Sequence, residues 1–131
     1  RSFGIPPQAV ALKLDVDNVF LDIDTAIPCA LIVNELVSNA LKYAFPETHR
    51  ESKADTGKPG AKPANEICVR LDRQDGQMVL FVEDNGVGLP PGVDISTANS
   101  LGLKLVWMLT RQLGGTVDVD GSQGTAFTIV F

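Results

Sequence analysis

The sequence is short of several things, and each shortage narrows what the chain can be. Among its 131 residues are one histidine, one tryptophan, one tyrosine and two cysteines. Cys29 and Cys68 lie far apart without metal-ligand spacing, so they read as reduced core thiols of a cytoplasmic protein. Basic residues are outnumbered, 11 Lys and Arg against 16 Asp and Glu, for a formal charge of −5. That balance argues against a nucleic-acid surface, which needs clustered cations to meet the phosphate backbone. No apolar run approaches the roughly 20 residues that cross a bilayer, and no signal-peptide pattern opens the chain, so direct membrane insertion is not expected. Nothing points to internal repeats. What is present, 44% hydrophobic residues, suffices to bury one core without staples.

Taken in order, residues 1–8 contain Gly4, Pro6 and Pro7 and read as a lead-in, leaving 9–131 as a single domain. Val10, Leu12 and Leu14 alternate with Ala11, Lys13 and Asp15, and after an Asp17-Asn18 turn the residues Val19, Leu21 and Ile23 alternate again. Two such runs predict a hairpin. Asp24 or Thr25 then caps a helix that carries Pro28 in its first turn and stops near Phe45-Pro46. Residues 47–65 lack apolar periodicity and predict a mobile loop. Ile67, Val69 and Leu71 predict a strand, Asp75-Gly76 a turn, and the run from Met78 to Val82 a second, central strand. An excursion over 89–100 leads to Ser100, which caps a second helix with core residues Leu103, Val106, Trp107 and Leu109 or Thr110, stopped by Gly114-Gly115. Strands from Thr116 to Asp120 and Thr125 to Phe131 finish the chain. Paired strands alternating with single helices imply an α+β domain: a two-layer α/β sandwich, its mixed sheet carrying both helices on one face.

Three segments stand out chemically. At about 100° per residue, Glu35, Asn39 and Lys42 fall within an arc of roughly 60° on the first helix. Asn34, Ser38 and Tyr43 flank it, while Cys29, Ala30, Val33, Leu36, Val37, Ala40, Leu41 and Ala44 form the side expected to be buried. An acid, a carboxamide and an amine one turn apart suit a cation and an anionic ligand together. A solvated helix face explains this stripe equally well when it is taken alone. Asp84-Asn85-Gly86-Val87-Gly88 leaves the end of a buried strand; its glycines let backbone approach a ligand closely, and its aspartate can accept from an exocyclic amine such as that of adenine. Taken alone, this is more often a plain turn. In Ser100-Leu101-Gly102-Leu103 a glycine at a helix start leaves N–H groups uncovered beside the positive end of the helix dipole, an anion site. A capped amphipathic helix accounts for that motif as readily. Gly124-Thr125 reads as a hairpin turn or as a further wall.

In this order, NELVSNALKYAF, DNGVGLP, SLGLKLV and GGTVDVDGSQGTAFTIVF resemble the catalytic ATP-binding domain of sensor histidine kinases, in the group that includes gyrase, heat-shock chaperone and mismatch-repair ATPases. IPCALIVNELVSNALKYAFP is most similar to the second histidine-kinase subfamily, whose members often have short nucleotide lids. The resemblance implies a Bergerat-type fold with residues 89–100 as the ATP lid. It implies that Asn39 ligates Mg²⁺ between the ATP phosphates, that Glu35 stands at the polarising acid's place and that Lys42 approaches the phosphates. Tyr43 would pack beside adenine or ribose, Asp84 accept from the adenine amine, and Gly86 and Gly88 shape the wall. Leu101, Gly102 and Leu103 would close the far end of the lid, and Thr125 hold a water beside adenine. Residues 89–100 have no Lys or Arg, so a cationic phosphate contact must come from Lys42, Lys104 or another chain.

The resemblance also implies partners: a dimerising module that carries the phosphoacceptor histidine, and a response regulator downstream. His49, in the polar segment Glu47-Thr48-His49-Arg50, lacks the amphipathic pattern of that module, so the acceptor is expected outside these residues. Two other functions share the same boxes: a nucleotide-gated interaction module without phosphotransfer, and a serine-directed anti-sigma kinase.

Overall fold

In the computed structural model, which describes residues 10–16, 19–45, 65–89 and 100–131, alternation along the chain becomes a five-stranded sheet in the order β1-β2-β3-β5-β4. The strands are β1 (Ala11–Val16), β2 (Glu66–Gln74), β3 (Gln77–Asp84), β4 (Thr116–Asp120) and β5 (Thr125–Val130). The helices are α1 (Ile23–Asn39), continued by a π-helical turn over Ala40–Ala44, and α2 (Leu101–Gln112). β1 runs parallel to β2, and the other pairs are antiparallel. The sheet is therefore mixed, as expected. Ile67, Val69 and Leu71 of β2, Met78, Leu80 and Val82 of β3, and Phe127 and Ile129 of β5 are buried on one face. They pack with Cys29, Ile32 and Leu36 of α1 and with Val106 and Leu109 of α2. The helices form the second layer.

The expected hairpin is not there. β1 pairs with β2 across α1, and parallel neighbours need a crossover of this kind. Val19 and Leu21 alternate because they lean on the core as an irregular lead-in to α1. Ile23 already belongs to the helix. Asp22, ahead of the expected Asp24 or Thr25, is the cap: its Oδ1 accepts from the Thr25 N–H at 3.0 Å.

The buried side of α1 also differs in detail. Ala30 and Leu41 are exposed, and Ile32, which the polar arc drew attention away from, is fully buried. At the other caps sequence and structure agree. Ser100 Oγ accepts from the Leu103 N–H at 3.3 Å, and Gly114 takes a positive φ of 74° just past α2. The expected loop over 47–65 and lid over 89–100 fall almost wholly outside the described residues, as does His49.

Candidate functional site

Four chain segments converge where α1 ends. β3, the middle strand of the sheet, delivers Asp84 to its C-terminal end, and there the side chain is 7% exposed. Its Oδ1 accepts from the Gly86 N–H at 2.8 Å and from the Thr125 N–H at 3.3 Å, so the Asp-Asn-Gly turn and the start of β5 aim one carboxylate together. Asn85 fixes the turn to the sheet. Its side-chain oxygen accepts from the Glu66 N–H at 2.8 Å, while its own N–H donates to the Glu66 carbonyl at 3.2 Å.

The π-helical turn meets this loop from the other side. The Val87 N–H donates to the Ala44 carbonyl at 2.9 Å, and Gly86 lies so close to Ala44 that a Cβ there would overlap its backbone. Any other residue at 86 would push the loop off the helix. Gly88, at φ 80°, presses against the Gly121 carbonyl in the same way. Insertion of a wider turn is a local cost that persists mostly where tertiary contacts or function hold it, and here the tie to Val87 supplies the contact.

A cavity of about 180 Å³ opens between these elements. Leu36, Ala40, Ala44, Val82 and Phe127 are its apolar walls, and Asn39, Tyr43, Asp84, Ser100 and Thr125 bring polar atoms to it. An apolar slot with a few fixed polar groups is the usual form of a small-molecule site, and this one has room for a planar base.

Of the residues singled out in the sequence, Asn39, Tyr43, Asp84, Gly88, Leu103 and Thr125 line the cavity. Glu35 and Gly102 meet beside it: a Cβ at position 102 would lie 2.7 Å from Glu35 Oε1 and 3.4 Å from the Asn39 amide nitrogen. Gly102 thus lets the start of α2 approach the polar stripe of α1. Gly86 shapes the wall from behind Ala44. Lys42 and Leu101 do not line the cavity and are exposed, Leu101 by 83%. Lys42 lies within the π-helical turn, where the 100° spacing used to count the stripe no longer applies. The sequence reading assigned Leu36, Ala40 and Ala44 to the core and missed that they double as cavity wall. Their spacing of four is that of any buried helix face, so no signal in the sequence separates wall from core.

Among the described residues no cluster of three or more His, Cys, Asp or Glu could cage a metal, and no helix is long and apolar enough to cross a membrane.

The chain is similar to known proteins over most of its length. Residues 24–131 match the model of the histidine kinase-, DNA gyrase B- and HSP90-like ATPase family. The sensor histidine kinase PdtaS of Mycobacterium tuberculosis is 30% identical over 104 residues, 79% of this chain but 17% of that protein. The blue-light-activated histidine kinase 2 of Erythrobacter litoralis is 28% identical over 123 residues, 92% of this chain and 32% of that one. In three dimensions, the histidine kinase domain of the Erythrobacter litoralis EL346 blue-light activated histidine kinase superposes with a TM-score of 0.75 at 27% identity, covering 93% of this chain and 51% of that chain. The chain spans well under half of these two curated relatives. With its mixed sheet, its helices on one face and its cavity at the strand ends, the chain belongs to the histidine kinase-, DNA gyrase B- and HSP90-like ATPase family.

Proposed function

We propose that this chain is the ATP-binding catalytic domain of a cytoplasmic sensor histidine kinase, or of the cytoplasmic part of a larger sensor. It passes the γ-phosphoryl of ATP to a histidine on a separate dimerisation and phosphoacceptor module, from which a response regulator is served. One observation carries the reading. A buried carboxylate, Asp84, stands in an apolar slot with one oxygen held by two backbone amides, and the N-terminus of α2 lies across from it against Glu35 and Asn39.

In this reading Asp84 accepts from the exocyclic amine of adenine, while Leu36, Ala40, Leu103 and Phe127 cover the ring. Tyr43, 70% exposed, lies over the base or ribose at the mouth. Gly86 and Gly88 keep the wall thin, and Thr125 holds a water beside the base. The N-terminal turn of α2 at Gly102 and Leu103, where Ser100 Oγ already accepts from the Leu103 N–H, receives the phosphates. Leu101 closes over them, and the exposed Lys42 and Lys104 add cationic charge from the rim.

The donor set fits Mg²⁺ rather than a caged transition metal. Asn39 and Glu35 offer hard oxygens at one spot, and Mg²⁺ typically takes one or two protein ligands with the rest from phosphate and water. Asn39 would hold the ion, which when bound neutralises charge on the transferring phosphoryl group. Glu35 orients the incoming imidazole; a neutral histidine is nucleophilic near pH 7 and needs no strong base.

Calorimetric titration tests this. Mg·ATP is expected to bind, and Asp84→Asn to weaken it by about 1–3 kcal/mol through a lost charge-assisted hydrogen bond. Unchanged affinity would remove Asp84 from the adenine role. Asn39→Ala is expected to lower affinity more with Mg²⁺ than with EDTA; equal losses contradict a metal ligand. With radiolabelled ATP, label should appear on an added acceptor module and not on this chain alone.

A further inference from the structure

The antiparallel ladder of β2 and β3 pairs Ile67 with Asp84, and one step further it would pair Glu66 with Asn85. In a regular ladder, residues that face each other as a hydrogen-bonded pair exchange both main-chain bonds. Here only half of that exchange uses the main chain. The Asn85 N–H donates to the Glu66 carbonyl at 3.2 Å, but the Glu66 N–H donates to Asn85 Oδ1 at 2.8 Å. The side chain stands in for its own carbonyl.

That substitution meets a demand of the site. The chain must leave the sheet directly after Asp84, because Gly86 packs against Ala44 and the Val87 N–H bonds to the Ala44 carbonyl. A main-chain carbonyl committed to β2 would hold the chain straight, and a carbonyl turned away would give up that bond to β2. Asn85 turns the chain and keeps both bonds. Asparagine in a turn ordinarily bonds its own backbone two residues on. This one reaches a residue 19 positions away and ties the turn to another strand.

Asp84 is framed from three sides. β5 meets it through the Thr125 N–H and through Gly124, where a Cβ would overlap the Asp84 carbonyl. The π-helical turn meets the loop through the backbone of Ala44. The tie to β2 rests instead on the side chain of Asn85, which does not line the cavity. From there the path to the carboxylate is short. Asn85 sets the direction of the turn, the turn carries the Gly86 N–H, and that N–H holds Asp84 Oδ1 at 2.8 Å.

We infer that Asn85 is a positioning residue for base recognition, a role that rests on the adenine contact proposed above for Asp84. Without touching the nucleotide, it sets the angle at which the Asp84 carboxylate meets the exocyclic amine, and so how strongly the cavity prefers adenine. A hydrogen bond weakens steeply as its angle opens. A loosened turn therefore loses selectivity while the fold persists.

The test uses the natural protein that carries these residues and compares ADP with purine riboside diphosphate, the same molecule without the 6-amino group. Neither carries the transferred γ-phosphoryl, so calorimetry with Mg²⁺ reads binding alone. The wild type is expected to prefer ADP by about tenfold or more, the scale of one charge-assisted hydrogen bond. Asn85→Ala should narrow the preference to less than about threefold, chiefly through weaker ADP binding. Asn85→Ser, whose oxygen is one bond shorter, should repeat that loss and serves if the alanine variant does not fold. Asn85→Asp, which keeps an acceptor at the same reach, should restore the preference; its added charge acts on both ligands and cancels in the ratio. A merely structural role would weaken both ligands together. An unchanged ratio in Asn85→Ala or Asn85→Ser, or no restoration by aspartate, overturns the inference and leaves the adenine contact standing. A wild type indifferent to the amine overturns the adenine contact, and the role of Asn85 with it.

Discussion

The two edges of the sheet are built by the same rule and end up in opposite conditions. At β4, Val117 and Val119 turn inward and are half-buried, while Thr116, Asp118 and Asp120 face out. At β1, Leu12, Leu14 and Val16 turn to the same face of the sheet and stay exposed. The patterning is equally regular in both. What differs is cover, since α2 reaches over the β4 edge and packs with Val117 and Val119, whereas no described helix lies over β1. An alternating strand therefore shows which face is meant to be buried, and the neighbouring layer decides whether it is.

Substitutions can sharpen or break that contrast. The largest loss is expected where both edges depend on the shared core. Ile32→Ala, at a position with no exposure, should destabilise the domain by about 2–5 kcal/mol in chemical denaturation. Next comes the covered edge. Val119→Asp puts a charge under α2 and should cost about 1–3 kcal/mol. Leu14→Asp, the matching change on β1, should shift stability of this chain by less than about 0.5 kcal/mol. Equal losses at the two edges would erase the distinction. The smallest effect is one of pH. Asp120, at the outer end of β4, accepts from the Ser122 N–H at 3.0 Å and the Ser122 hydroxyl at 2.8 Å, and these bonds lower its pKa. A depressed carboxylate adds stability that is present above its unfolded value and is lost as pH falls through the folded one. Asp120→Asn should therefore flatten the acid limb of a thermal-melt pH series slightly and leave the neutral region alone.

Much of the fold was legible because the signals were local. The alternation of β2, β3 and β5, the Asp75-Gly76 turn, with φ 53° and 79°, and the Ser100 cap each depend on neighbours a few residues away. The misread parts depend on distant ones. Alternation in Val10–Leu14 names a strand but not its partner, and that partner, β2, comes only after α1. The π-helical turn is held by Val87, more than 40 positions further along. No propensity within Ala40–Ala44 announces it. Ile32 is fully buried although it lies outside the face that sits opposite the polar arc, because the sheet covers α1 over a wider angle than that arc implies. In the site, the polar members could be found from spacing and resemblance. The apolar walls could not, since a leucine or alanine in a cavity looks like one in a core until the opposing strand ends are in place.

The most direct test of the central claim, one nucleotide cavity at the Asp84 end of the sheet, is amide-resolved NMR during titration with Mg·ATP. Saturable shifts are expected at Asn39, Gly86, Gly102 and Thr125, with Leu12 to Val16 unmoved. Shifts confined to β1 and the first half of α1, or none at saturating nucleotide, would contradict it.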